Sequence, residues 1–306
     1  MSQALAAQRR ASIDEQARSD GLRLIVHADD FGVSRAVNSG IVQAHREGIL
    51  TSASIMASAE YFSHAVDLAR DCPSLDVGIH LTLAEERPLL SPDTIPSLVD
   101  DEGCFHRHAT VFAARYLRGQ ISLDDVRHEL EAQVEKVLAT GLPVSHLDSH
   151  QHLHMLPGVL GVTRDMAARY GIPFVRFPRE KIKTYMFRRM SKSSRIAQLA
   201  VLNSFCRRAQ LEFPARTDHF VGFYHGGSLT TGNLREIVEH LPSQGTCELM
   251  CHPGHEDSQS ARAHWGYSWQ DELNALLDPG IAAALRNRKI SLISYRDLAV
   301  AERKAM

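Results

Sequence analysis

The sequence has few cysteines, almost no net charge and no long hydrophobic run, and each shortage argues against a class of protein. Its five cysteines are an odd number without a Cys-X-X-Cys pair, which favours reduced thiols in a cytoplasmic protein over a disulfide framework. Lysine and arginine total 34 against 36 aspartates and glutamates, so no overall positive field indicates a nucleic-acid partner. No uncharged run approaches the roughly 20 residues of a membrane span. We therefore expect a cytoplasmic globular protein.

The chain is long enough for one large domain or two ordinary ones. Since α/β barrels commonly run to about 250 residues as one unit, its 306 residues favour a single domain over 21–300. Residues 1–20 contain no apolar signal-peptide core, and we expect a disordered leader there. Proline-containing loops predict one insertion near 84–119, and a change to a cationic pattern predicts another near 180–216.

Apolar, branched runs alternate with helical patterns along most of the chain. "LRLIVHADDFG" (22–32) ends an apolar run in charge and glycine, which is typical of a buried parallel strand. "SRAVNSGIVQAHREG" (34–48) follows with helical spacing, a cap at Ser34 and a stop at Gly48. About seven such strand and helix units predict an α/β fold, namely a closed or nearly closed barrel.

Four groups of chemically capable side chains lie where predicted strands end. They are Asp29 and Asp30 in "ADDFG", His80 in "VGIHLTL", the polar residues of "HLDSHQHLH" (146–154), and His252 in "ELMCHPG". Catalytic groups of α/β barrels lie at the carboxyl ends of strands, so we expect the four groups to meet. Simpler interpretations exist for three of these groups taken alone: a helix cap or a turn for the aspartates, a buried hydrogen-bonded histidine for His80, and ordinary surface or core histidines for the polar stretch.

The stretch "HLDSHQHLH" places a coordinating side chain at every second position. In a strand, His146, Asp148 and His150 point to one face; in a helix, His146, His150 and His154 share a face. Either geometry concentrates imidazoles, which indicates a metal or catalytic site. An aspartate with two neutral histidines would leave positions open on a divalent cation, as catalytic metal sites do.

Asp29 and Asp30 give a second indication of a metal. Adjacent carboxylates repel each other, and a cation bound between them removes that repulsion. Gly32 would let the backbone turn so that both acids address one site. Zinc, cobalt, manganese and magnesium all remain open as the metal, because aspartate and histidine ligands suit each of them.

Quoted together, "ADDFG" (28–32), "GIH" (78–80), "HLDSHQHLH" (146–154) and "CHPG" (251–254) resemble the motifs of the YdjC-like carbohydrate deacetylases, and the likeness covers 22–295. "FYHGG" and the basic insertion are similar to the hopanoid-biosynthesis-associated branch, HpnK. The resemblance implies a single distorted (β/α) barrel related to the NodB-type polysaccharide deacetylases. It also implies an enzyme that uses one divalent metal ion to hydrolyse the N-acetyl group of an amino sugar.

Carried over by position, the resemblance makes Asp30, His80 and His150 the metal ligands, Asp29 the general base and His252 the general acid. Six further residues become candidates for binding the substrate or supporting the metal ligands: His27, His146, Asp148, His152, His154 and Arg176. His27 departs from the family pattern, because many members have asparagine or threonine at that position.

Residues 181–208 carry basic side chains that no acid interrupts. A solvated helix surface is the simplest interpretation. The resemblance implies a sharper one, because N-acetylglucosaminyl hopanoid stays in the bilayer while its sugar is processed, and a cationic helix suits an anionic membrane surface. The protein would then attach peripherally to the inner membrane. The alternatives are a deacetylase of soluble chito-oligosaccharides, a metal-dependent phosphoesterase and a non-enzymatic protein that binds metal or sugar.

Overall fold

The computed structural model describes residues 21–188, 192–209, 216–257 and 262–304, and the expected leader over 1–20 lies outside them. The strands of this part are β1 (Leu22–Phe31), β2 (Ser52–Ile55), β3 (Asp76–Leu81), β4 (Val144–Ser149), β5 (Phe174–Val175), β6 (His219–Val221), β7 (Gly245–Cys251) and β8 (Ser291–Leu292). Its α-helices are α1 (Arg35–Glu47), α2 (Phe62–Arg70), α3 (Ala109–Leu117), α4 (Leu123–Leu138), α5 (Pro157–Arg169), α6 (Ser193–Ala209), α7 (Thr231–Glu239), α8 (Trp269–Leu277), α9 (Pro279–Asn287) and α10 (Tyr295–Lys304).

The eight strands form one sheet in which every pairing is parallel. The order is β5-β4-β3-β2-β1-β7-β6, and β8 pairs with β1 beside this path. β5 and β6 are the two outer strands of this order. A further parallel bridge, between Glu180 and Phe220, connects the segment that follows β5 to β6. The prediction of a distorted, nearly closed α/β barrel is therefore confirmed.

Apolar packing lies between the sheet and the helices. Alternation along β1 sends Leu24 and Val26 into a large buried cluster that includes Ile41 of α1. The barrel interior is unusually polar, and its completely buried members include His27, His146, Asp148, Arg176 and Glu248. Because buried polar groups are costly without partners, the interior of this barrel must be a hydrogen-bonded network.

Both expected insertions contain regular structure. The first carries α3 between β3 and α4, and the second carries a short 3₁₀ helix (Thr184–Arg188) followed by α6. No helix in the described ranges is long and apolar enough to cross a membrane.

The histidine-rich stretch changes conformation halfway. β4 ends at Ser149, and a 3₁₀ helix (His150–Met155) follows in which Gln151 and His152 both have a left-handed φ of 54°. The alternation of coordinating side chains therefore stops where the strand stops. His152 and His154 are placed by this 3₁₀ segment rather than by the pleat of a strand.

Candidate active site

The end of β1 brings two adjacent carboxylates to one place. Consecutive strand residues normally face opposite sides of a sheet, but the register between β1 and β2 shifts here and Asp30 has a left-handed φ of 66°. Gly32, with a φ of 116°, then turns the chain, as the sequence analysis expects. Asp29 and Asp30 consequently both come within ligand spacing of His80. A non-glycine residue in this conformation costs about 1–3 kcal/mol, and such strain is concentrated at functional sites.

Asp30, His80 and His150 form a buried triad. Asp30 Oδ1 is 3.4 Å from His80 Nε2 and 3.1 Å from His150 Nδ1. One ligand atom from each residue lies within 4.8 Å of the other two, a spacing at which one cation can contact all three. The triad joins β1, β3 and the residue that follows β4, so the carboxyl ends of three parallel strands of the sheet build it.

The donor set of the triad fits a divalent cation. Asp30 Oδ2 and His80 Nε2 are buried, and within the described part of the chain neither has a hydrogen-bond partner. The other nitrogen of His80, Nδ1, lies 2.8 Å from Asp148 Oδ1 and 3.0 Å from Ser54 Oγ. Metal-binding histidines are commonly held in this way by a carboxylate, which leaves the opposite nitrogen for the metal.

The electrostatic environment of the triad also favours a cation. Burial raises the pKa of Asp30, but the rings of His150 and His80 outweigh it and hold that pKa well below its usual range. Burial lowers the pKa of His80, yet Asp148 and Asp29 raise it to about 10. Against the same opposing burial, Asp30 raises the pKa of His150 to about 9. The nearby carboxylates thus favour the protonated form of both rings, which indicates a negative potential at the triad.

Arg176 holds Asp29 from inside the barrel. Its guanidinium donates two hydrogen bonds to the Asp29 carboxylate, at 2.7 and 2.8 Å. It also contacts Asp148 at 2.9 Å and Glu248 at 2.7 Å, so three carboxylates compensate this completely buried cation. A bidentate arginine fixes the plane of a carboxylate, and Asp29 therefore has a defined orientation.

His252 follows β7 and is held by Glu272 of α8. The Glu272 carboxylate accepts the backbone N–H of His252 at 2.5 Å and lies 3.7 Å from its Nδ1. Burial lowers the pKa of His252, but Glu272, Asp30 and Asp29 outweigh burial and raise it. The raised pKa favours the proton-carrying form that a general acid requires.

A cleft opens over these groups at the carboxyl end of the sheet. Its lining is formed by Asp29, His150, Gln151, His152, Arg195, Phe223, Met250, His252 and Tyr267. Aromatic rings flank the two histidines: the ring centroids of Trp265 and His150 are 4.8 Å apart, and those of Tyr267 and His252 are 4.6 Å apart. Asp29 as the expected base, His150 as an expected ligand and His252 as the expected acid therefore face the same cleft.

His152 and His154 have opposite surroundings although only one residue separates them. His154 uses both ring nitrogens in the core, with Ser149 Oγ at 2.6 Å and the backbone carbonyl of Arg176 at 3.1 Å. His152 lines the cleft, and burial lowers its pKa well below the usual value, so its ring is neutral. His154 thus supports the backbone that carries Arg176, whereas His152 can contact a substrate.

His27, His146 and Asp148 form a second buried group with the spacing of metal ligands. The guanidinium of Arg176 already contacts Asp148 at 2.9 Å and supplies a positive charge there. The ring of His146 packs so closely on Gly78 that a Cβ at that position would lie 2.3 Å from Nε2. The positive charge of Arg176 and the close packing of His146 on Gly78 both favour a supporting role for this second group.

Among the contributors to the site that the sequence did not predict are Ser54, Glu85 and Glu272. Glu85 reaches from the loop after β3, where its φ is 68°, and its Oε2 is 3.1 Å from His150 Nε2. Single polar residues in a loop or on a helix leave no periodic signal, so Glu85 and Glu272 could not be found. Ser54 alternates with Ser52 along β2, which was the one available signal.

Comparisons with known proteins give consistent matches. A family model described as YdjC-like protein matches residues 23–287. A carbohydrate deacetylase from Brevibacillus brevis is 35% identical over 284 residues, covering 90% of this chain and 100% of the relative. A chitooligosaccharide deacetylase from Serratia marcescens is 30% identical over 278 residues, covering 90% and 98%. A crystal structure from Enterococcus faecalis V583, named for cellobiose-phosphate cleavage, superposes with a TM-score of 0.70 at 26% identity, covering 90% and 98%.

Proposed function

The chain belongs to the YdjC-like protein family, and on that premise we propose that it is a metal-dependent carbohydrate deacetylase that hydrolyses the N-acetyl group of an amino sugar. The observation that carries this proposal is that Asp29 and His252 line one cleft together with His150, a member of the buried triad with Asp30 and His80. The names of the Brevibacillus and Serratia relatives support the same reaction.

In this proposal Asp30, His80 and His150 hold one divalent cation. When bound, such a cation lowers the pKa of water and polarises the carbonyl of an acetyl group. The three residues leave open positions for these roles, because they supply fewer ligands than a closed structural site.

Asp29 and His252 divide the proton transfers between them. Asp29 accepts the proton of the water that attacks the acetyl carbonyl, and the hydrogen bonds from Arg176 keep its carboxylate in one plane while lone pairs remain for the proton. His252 donates a proton to the departing amine nitrogen, and Glu272 keeps its ring in place. The products are acetate and a free amino sugar.

We further propose that the sugar is carried on a lipid, as in N-acetylglucosaminyl hopanoid. The basic segment supports this, because large apolar side chains are exposed on it: Ile182 at 40%, Val201 at 59% and Phe187 at 63%. Exposed cations accompany them, namely Lys181, Arg188, Arg207 and Arg208. Cationic and apolar groups together suit the surface of an anionic membrane, and the enzyme would then work at the inner membrane surface.

A soluble chito-oligosaccharide is the second candidate substrate. The name of the Serratia relative favours it, and the aromatic rings beside the cleft would suit a sugar ring with or without a lipid. We do not favour a phosphoesterase with two metals about 3.5–4 Å apart, since Arg176 already supplies the positive charge in the second group of potential ligands.

Mass spectrometry of reactions with both substrates tests this proposal. We expect the metal-loaded enzyme to remove one acetyl group from N-acetylglucosaminyl hopanoid, and a chelator to stop the reaction. Turnover of chito-oligosaccharides alone would contradict the lipid-linked substrate but not the deacetylase. If neither substrate lost an acetyl group with metal present, the proposed function would be wrong.

Flotation with liposomes tests the membrane contact separately. We expect binding to vesicles that contain phosphatidylglycerol at low salt, and weaker binding at high salt, because exposed charges are screened. Phe187→Ser should weaken binding further, whereas Val111→Ser, which removes a similarly apolar side chain from α3 that is 41% exposed, should not. Absence of salt-sensitive binding would argue against peripheral attachment.

A further inference from the structure

The second insertion places one basic side chain in the catalytic cleft. Among the described residues of the basic segment 181–208, Arg195 alone lines the cleft, where it joins Asp29 and His252. It is the third residue of α6, and its side chain is half-buried. A contact with a membrane surface does not account for a side chain in this position, so Arg195 requires a different explanation.

The "FYHGG" turn (223–227) fixes the direction of the Arg195 side chain. Arg195 Nη2 donates a hydrogen bond of 2.6 Å to the Gly226 carbonyl, and the central carbon of the guanidinium lies 5.2 Å from the ring centroid of Phe223. The face of an aromatic ring attracts a positive charge, and a planar guanidinium stacks on it readily. Since one turn holds the guanidinium at the cleft by two contacts, little side-chain freedom remains to be lost when a ligand binds.

The same turn contacts another cleft residue, Tyr267. Gly227 has a left-handed φ of 78°, and a Cβ at this position would lie 2.5 Å from Tyr267 Cδ1. The Gly227 carbonyl also accepts the backbone N–H of Ser268 at 2.8 Å. Burial raises the pKa of Tyr267 and Asp30 adds to this, whereas the positive charge of Arg195 opposes both. The turn therefore positions two cleft residues, one from the second insertion and one from the loop that follows β7.

Arg195 has hydrogen-bonding capacity left for a ligand. A guanidinium carries five N–H donors. Within the described part of the chain, Arg195 donates to the Gly226 carbonyl and, at 3.5 Å, to Gln198 Oε1, and it forms no ion pair. Asp29 is the only carboxylate among the described residues that line the cleft, and Arg176 already binds both of its oxygens. Most donors of Arg195 are therefore available to a molecule in the cleft.

His152 completes this side of the cleft, and it also has an unused polar atom. Its ring centroid lies 5.6 Å from that of Phe223. His152 Nδ1 is buried and has no hydrogen-bond partner among the described residues, although buried polar atoms are normally paired. We call Arg195, Phe223 and His152 the arginine wall. A sugar hydroxyl suits both polar members, because its oxygen can accept from a guanidinium and its O–H group can donate or accept at an imidazole nitrogen.

We propose that the arginine wall binds ring hydroxyls of the acetylated sugar and that Arg195 is a specificity-determining residue. This rests on the proposed deacetylase function, and it assigns the side of the cleft that holds the sugar. Arg195 donates to hydroxyl oxygens, His152 Nδ1 pairs with a hydroxyl, and Phe223 packs against the C–H groups of the ring. Because these contacts are made to the sugar itself, they serve a lipid-linked and a soluble amino sugar equally.

Arg195→Met tests this role, because it keeps a long unbranched side chain but removes the charge and all the donors. Arg195→Lys keeps the charge without the planar fork. Arg207→Met is the matched control, since it makes the same change on an exposed arginine of α6 that does not line the cleft. Steady-state kinetics of the metal-loaded proteins are measured with N-acetylglucosaminyl hopanoid and N,N′-diacetylchitobiose. Calorimetric titration uses chitobiose, the deacetylated disaccharide, which keeps the ring hydroxyls and is not consumed.

We expect Arg195→Met to raise both KM and the Kd for chitobiose by about tenfold or more, while kcat stays within about threefold of the wild type, because the lost contacts hold substrate and transition state alike. Arg195→Lys should recover part of the affinity, and Arg207→Met should match the wild type.

A lower kcat with unchanged KM and Kd would show that Arg195 only fastens α6 to the turn, and it would overturn the proposal. Equal affinity in Arg195→Met and Arg207→Met, or no binding of chitobiose by the wild type, would overturn it as well. Chitobiose binding that is weakened only by the Arg195 substitutions, in an enzyme that removes acetyl from neither substrate, would support the sugar site and refute the deacetylase reaction alone.

Discussion

Asp29→Asn is expected to lower kcat by about 10²- to 10⁴-fold while the metal stays bound, because the substitution removes the proposed proton acceptor but no metal ligand. Arg176 keeps Asp148 and Glu248 as partners in this variant, so the protein should still fold, at a cost of about 1–3 kcal/mol for the weakened hydrogen bonds. Steady-state kinetics and metal content measured on the same preparation separate these effects.

Glu248→Gln is the matched control for this substitution. Glu248 contacts Arg176 at 2.7 Å as Asp29 does, but it does not line the cleft. If Asp29 acts as a base, Glu248→Gln should keep most of the activity despite a similar disturbance of Arg176. Wild-type turnover in Asp29→Asn would refute the assignment of the base. Equal losses in both variants would mean that Asp29 only anchors the arginine.

His150→Ala should lose metal and activity together, whereas His154→Ala should keep its metal. His150 contributes to the triad, and removing a direct ligand costs more than the roughly 10- to 100-fold in affinity that follows loss of a supporting hydrogen bond. The two ring nitrogens of His154 form hydrogen bonds with Ser149 Oγ and the Arg176 carbonyl. His154→Ala should therefore lower the free energy of unfolding by about 2 kcal/mol instead. Metal analysis after dialysis and thermal unfolding measure the two effects.

The pair is a stringent comparison because both residues are buried histidines from the same 3₁₀ segment. Metal loss of the same size in both variants would show that the ligand set is larger than three residues. Full metal retention in His150→Ala would show that His150 is not a metal ligand.

Sequence patterns located the strand ends that build the site, because buried parallel strands leave long apolar runs that stop at charge and glycine. β1, β3 and β7 follow this pattern and carry Asp29, Asp30, His80 and His252 near their ends. The patterns could not show which residues of "HLDSHQHLH" face the site and which lie in the core. The left-handed backbone at Gln151 and His152 breaks the alternation, and neither glutamine nor histidine predicts that conformation, which is most common at glycine.

Long-range pairs were equally hidden from the sequence. The contact of Arg176 with Asp29 joins residues 147 positions apart, and the contact of His252 with Glu272 brings a helix onto a strand end. The apolar stretches "IPFVRFP" (172–178) and "KISLISY" (289–295) form strands of only two residues each, β5 at one edge of the sheet and β8 beside its main path. Apolar patterns predict burial, but they do not say which buried partners meet.

Anomalous diffraction from a crystal loaded with zinc or cobalt tests the metal centre most directly. We predict one strong peak bounded by Asp30, His80 and His150, with His80 binding through Nε2 while Asp148 and Ser54 hold its Nδ1. A peak among His27, His146 and Asp148, or no peak at the triad, would contradict it.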